Sequence, residues 1–91
     1  MSDTATIEVT ELEPTRFEVV VREGGSSTTH RVIVPAGVGV AGVSDAEVVE
    51  ESFRFLLERE PKESIMTSFD LPVISRYFPE YQQEMERRLG A

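Results

Sequence analysis

The most suggestive spacing in the chain is Gly37-Val38-Gly39-Val40-Ala41-Gly42, a G-x-G-x-x-G string. It follows the apolar run Val32-Ile33-Val34 and precedes an acidic helix start. Glycines so spaced let a backbone turn closely around a dinucleotide pyrophosphate while a helix N-terminus supplies amide donors. That chemistry also needs the helix to open on the glycines and a second, parallel strand to follow it, with an acid about 20 residues on for the ribose. Here the helix cap falls at Ser44, two residues past Gly42, and the stretch after the helix, "EPKESIMTSF", reads as helical. With no strand expected after Arg59, the βαβ unit stays incomplete and the glycines read as a connector. No cofactor is expected there. A phosphate-binding Gly-Lys-Ser/Thr string is missing as well.

The other reactive side chains are scattered. His30 is the single histidine and there is no cysteine, so neither a nucleophile–base pair nor a thiolate metal site can be assembled. On a strand without such partners His30 is expected at the surface. Glu47 and Glu51, and Glu80 and Glu84, each sit one helical turn apart, but a glycosidase pair needs opposed carboxylates across a cleft. No D-x-[DN]-x-[DN]-G loop offers a cation site. These gaps point away from an enzyme: no catalytic, cofactor-binding or metal-binding residue is expected.

Seventeen acids against nine bases leave a net charge of −8, distributed as −4 over residues 1–30, −3 over 31–60 and −1 over 61–91. A field of that sign repels phosphate backbones and anionic lipid and favours a basic protein partner. The expected role is therefore a small acidic interaction or regulatory module. Its candidate partner-binding residues are the acidic helix face of Glu47, Glu50 and Glu51, and the C-terminal group of Arg76, Tyr77 and Tyr81. The alternative is a helix-turn-helix DNA-binding regulator over residues 61–81, with a turn at Asp70-Leu71-Pro72 and a second helix carrying Ser75, Arg76 and Tyr77. Against it, Lys62, Arg76, Arg87 and Arg88 are interleaved with Glu63, Asp70, Glu80, Glu84 and Glu86, whereas a recognition helix sits in a basic patch.

Ninety-one residues with 40% apolar and 29% charged side chains suit one small globular domain. No apolar run is long enough to span a bilayer, and "MSDTATIEVTELEP" lacks a basic region followed by an apolar block, so a cytoplasmic protein without a leader is expected. Residues 1–5 read as a frayed end, 6–35 as β-rich, 36–43 as the glycine-rich connector and 44–90 as helical. Ile7–Thr10 alternates briefly. Arg16–Arg22 does so more strongly, with Phe17, Val19 and Val21 on one face. His30–Pro35 forms the return strand, across a Gly/Ser/Thr loop that looks too long for the tightest turns. Ser44-Asp45-Ala46-Glu47 is a capping box opening a helix that runs to about Arg59, with Val49, Phe53 and Leu56 as its apolar stripe. Pro61, Pro72 and Pro79 then divide the remainder into short helices, with Asp70 as a cap.

The fold class that follows is α+β: a two- or three-stranded antiparallel sheet, then one long helix and two or three short ones packed on one face. The expected core is Phe17, Val19, Val21, Val32, Val34, Val49, Phe53, Leu56, Ile65, Phe69, Ile74, Phe78 and Tyr81. So narrow a sheet has open edges that a second copy could cover, as a homodimer.

The string Phe69-Asp70-Leu71, Ile74, Tyr77-Phe78-Pro79-Glu80-Tyr81 resembles the C-terminal pattern of a group of small uncharacterised bacterial proteins, over residues 56–81. The resemblance implies a bacterial origin and a shared helical C-terminal half, and it carries no activity, cofactor or site residue. A weaker likeness is to small antitoxins that place a short sheet before a helix. Those proteins have a further strand after that helix, and no such strand is expected here.

Overall fold

The computed structural model describes residues 5–90. The frayed end expected for residues 1–5 lies outside the described residues except for Ala5, which packs against the core. Strands β1 (Thr6–Glu13), β2 (Arg16–Glu23) and β3 (Ser26–Ile33) form an antiparallel meander. Helix α1 (Asp45–Leu57), a 3-10 turn (Lys62–Ser64), strand β4 (Ser68–Asp70) and helices α2 (Val73–Tyr77) and α3 (Tyr81–Leu89) complete the chain. The sheet order is β1-β2-β3-β4.

β4 overturns one expectation directly. It pairs in parallel with β3, Arg31 with Ser68, Val32 with Phe69 and Ile33 with Asp70, and Leu71 N donates to Ile33 O at 2.8 Å. The expected two- or three-stranded antiparallel sheet is therefore a four-stranded mixed one. Residues 44–90 are not wholly helical, and β3, α1 and β4 do form a βαβ unit. The strand whose absence set the chain apart from the sheet-and-helix antitoxins is present. Its three residues are too few to show a period. Only Phe69, buried between exposed Ser68 and Asp70, carries the alternation.

The β2–β3 turn is also tighter than expected. Glu23 pairs with Ser26, so Gly24-Gly25 alone make the turn, at φ 61° and 84°. Two successive left-handed residues match the twist of a two-residue hairpin, and glycine adopts them without strain. The remaining "SSTT" is thereby freed to extend β3.

One face of the sheet supplies Phe17, Val19, Val21, Val32 and Phe69 to the core, against Val48, Val49, Phe53 and Leu56 of α1. Each such side chain contributes about 1.5–3 kcal/mol through removal from water. The expected core is buried throughout except Phe78, which is half-buried. Val48, Phe55, Leu71 and Met85 join it. Phe55 lies off the stripe because α1 is covered on a second side, where Phe78 and Tyr81 meet its ring edge-on at 5.8 and 5.4 Å.

The expected capping box is present. Glu47 N donates to Ser44 Oγ at 3.2 Å and Ser44 N donates to Glu47 Oε1 at 3.4 Å. Asp70, expected to cap the following helix, instead ends β4, and five-residue α2 starts behind Pro72 with no side-chain cap.

Candidate partner-docking site

The six residues expected to meet a partner separate into two groups. Glu47 is occupied by the capping box. Glu50 and Glu51 both pair with Arg54, and Glu51 also receives Arg88 Nη1 at 3.0 Å. This helix face is largely neutralised within the molecule. Tyr81 is no surface residue: it is buried, its hydroxyl 2.6 Å from Ser52 Oγ. Ser52 gives its own proton to Val48 O at 2.6 Å, so the Tyr81 hydroxyl is the donor. Burial pushes the Tyr81 hydroxyl's pKa up, against the lowering effect of Ser52. Only Arg76 and Tyr77, both on α2, face solvent without such ties.

His30 corrects a further expectation. It is 1% exposed, on the same inward parity as Val32, with its ring 5.2 Å from that of Phe53. Nδ1 lies 2.8 Å from Met66 O and Nε2 lies 2.8 Å from Thr28 Oγ1. A carbonyl only accepts, so Nδ1 carries a proton and donates to Met66 O, while Nε2 shares a hydrogen bond with the Thr28 hydroxyl. Both nitrogens are satisfied, and the residue staples β3 to the segment entering β4.

Eight of the nine basic side chains lie within ion-pair distance of an acid. Lys62 is buried against Glu63 and Glu23, at 3.0 and 3.8 Å. Arg87 binds Glu84. Arg88 reaches Glu51, Glu84 and Glu58, at 3.0, 3.0 and 2.7 Å. Arg59 lies over the Phe55 ring at 3.6 Å and bonds Glu80 at 3.2 Å. The perturbed titrations follow this network. Arg87 and Arg88 hold the Glu84 carboxyl at about 2, Arg88 lowers Glu58, and Lys62 lowers Glu63. Among the described residues Arg76 alone of the bases has no acidic partner. The helix-turn-helix outline also fails in its first half, where a 3-10 turn and β4 stand in place of a helix.

With β4 in place, the topological objection to the glycine string falls, and local chemistry decides. Val38 N and Val43 N are already committed to Pro35 O and Val40 O, at 3.1 Å each. Val38, Val40 and Val43 pack against the core. Gly39, at φ 123°, comes close to Asp45, and Asp45 and Glu47 occupy the first turn of α1. A phosphate would meet two carboxylates where a dinucleotide site offers bare amides. Among the described residues no three His, Asp or Glu side chains are grouped as a metal ion would require, and no helix is long and apolar enough to cross a membrane.

The feature that sequence reasoning missed is a pocket of about 300 Å³. Leu56 from the end of α1, Ile65, Phe69 of β4, and Ile74 and Phe78 around α2 form its walls. Met66 and Tyr77 form its lips and are 40% and 65% exposed. Among the described residues only Leu12 is another large apolar side chain so exposed. Glu60 is the one charged group lining the pocket and has no basic partner among the described residues. The volume is at the low end for small-molecule sites and suits one large side chain. The sequence signal was the pairing of Met66 and Tyr77 with prolines on either side, but their convergence depends on β4. Compared with protein-family models, curated proteins and solved structures, the chain matches none.

Proposed function

We propose that the protein is a non-enzymatic interaction module whose partner, a protein, inserts an apolar anchor side chain between Met66 and Tyr77 and sets a lysine or arginine beside Glu60. The observation that carries this reading is the exposure of Met66 and Tyr77 over one apolar pocket. Contiguous exposed apolar surface with a polar rim is characteristic of interaction sites, and buried anchor residues supply most interface energy. The net charge of −8 and Glu60, without a basic partner among the described residues, favour a basic flank on the anchor, chiefly through faster and more selective encounter. Arg76, beside Tyr77, offers the partner a single cation on the same lip.

The test is site-specific photo-crosslinking. A photoreactive phenylalanine analogue in place of Tyr77 is expected to capture one discrete protein from bacterial extract, whereas the same group at Thr29, exposed on the outer face of the sheet, does not capture it. The captured protein must then bind the purified wild-type chain, and Glu60→Lys must weaken that binding. Capture that is equal from both positions, or binding indifferent to Glu60→Lys, contradicts the reading. Among the described residues the DNA-binding alternative retains only Arg76 as a cation without an acidic partner. A mobility shift that Arg76→Ala abolishes would favour it over protein docking.

A further inference from the structure

We infer that the free edge of β1 pairs antiparallel with the same edge of a second copy, about a two-fold axis at Val9, to give a dimer with one continuous sheet. β1 is the outermost strand, eight residues long and hydrogen-bonded on one side only. Natural sheets blunt such an edge with proline, lysine, a bulge or inward-pointing charge. Thr6–Glu13 contains neither proline nor lysine, and its one irregularity lies at the far end, between Glu11 and Glu13. Among the described residues Thr6–Thr10 is a regular, uncovered edge about 17 Å long, and Glu11, opposite Phe17, is the one charge on its inward parity.

Repulsion between two copies is small at this edge in spite of the net negative total. Glu8 is neutralised by Arg22 at 3.1 Å and Glu13 faces Arg16 at 3.6 Å, so two approaching edges carry only Glu11 each without a basic partner among the described residues. The inner-face residues Ile7 and Val9 touch the core yet remain half-buried at the rim. A neighbouring strand would cover them.

The register follows from the pleat. Keeping both inner faces on one side requires the axis to pass through a residue, because a one-residue slip reverses every side chain. An axis at Glu8 opposes two Glu8 carboxylates. An axis at Thr10 draws in the irregular Glu11–Glu13 stretch. An axis at Val9 sets Val9 against Val9, Glu8 against Thr10 and Ile7 against Glu11, with no acid facing an acid. The docking pocket borders β4 at the opposite edge of the sheet, so pairing through β1 leaves it open in both copies and makes the dimer bivalent. An interface of one strand edge is small, and the dimer is correspondingly weak and concentration-dependent.

Sedimentation equilibrium on the full chain, at concentrations up to its solubility limit, gives the oligomeric state. Val9→Cys gives the register. The chain has no cysteine, so the introduced thiol is unique, and facing Cα atoms about 4.5–5.5 Å apart are within disulfide reach. The expected result is a reversible dimer in which Val9→Cys oxidises to a covalent dimer roughly tenfold faster than Glu11→Cys, whose opposite residue is Ile7. Amide exchange in the wild-type chain supplies a second readout that no substitution can disturb: protection across Thr6–Glu11 rises with protein concentration. A monomer at every concentration overturns the inference. So does a dimer whose β1 amides gain no protection, or one in which Glu11→Cys crosslinks as fast as Val9→Cys.

Discussion

Arg88 Nη1 and Glu51 Oε2 lie 3.0 Å apart across 37 positions of sequence, joining the last turn of α3 to the middle of α1. The same guanidinium also reaches Glu58 and Glu84, so a single side chain gathers three carboxylates from two helices. Charge-assisted bonds of this geometry set orientation as well as energy. They explain why α3, short and with few buried residues of its own, stays on α1.

Replacing Arg88 with methionine keeps much of the volume and removes the clamp. The expected cost is about 1–3 kcal/mol, read from the urea midpoint, with greater amide exchange in α3 than in the sheet. A loss confined to the sheet would contradict the assignment.

The acid limb of stability has a definite sign. Glu84 is held at about 2, below its ordinary 4.5, by Arg87 and Arg88, and Glu58 is lowered chiefly by Arg88. Groups so depressed stabilise the fold above their unfolded value, and this stabilisation is lost as pH falls from about 4.5 towards 2. In Arg88→Met, carboxyl titration by NMR should return Glu58 further towards 4.5 than Glu84, because Arg87 still holds Glu84. Equal return of both would place the weight on the wrong arginine.

Tyr81→Phe removes the donor to Ser52 while leaving Ser52 bonded to Val48 O. The expected loss is about 0.5–1.5 kcal/mol, and a cycle with Ser52→Ala should show coupling of similar size. Additive single effects would mean that the two hydroxyls do not share a bond.

His30→Leu leaves Met66 O and the Thr28 hydroxyl without their partner. A loss of about 1–3 kcal/mol is expected, with the amides around β4 exchanging first. Exchange that begins in α1 would put the staple elsewhere.

Long periodic elements were legible in the sequence: the β2 alternation around Phe17, Val19 and Val21, the α1 stripe and its capping box, and the α+β class. β4 was not, because three residues carry no period and its pairing depends on Arg31–Ile33, more than thirty positions away. His30 was misplaced by weighing its chemistry before its parity with Val32, which already pointed inward. Glu51 looked available because Arg88, which reaches it, comes from a separate stretch of the chain, whereas Arg54, which pairs with Glu50, lies one turn along the same helix. Tyr81 was placed both in the core and in the surface group, and the core placement is the one the structure bears out. Tyr77 was picked out for its aromatic character, but its role as a lip of a pocket required Met66 to be brought beside it.

Titration calorimetry of the photo-captured partner against wild-type protein and a Met66→Ser/Tyr77→Ala double variant tests pocket docking most directly. Both substituted residues are exposed, so the variant should keep its melting temperature and lose binding roughly 10- to 100-fold, with a smaller negative heat-capacity change. Unchanged affinity in a folded double variant would contradict docking at this pocket.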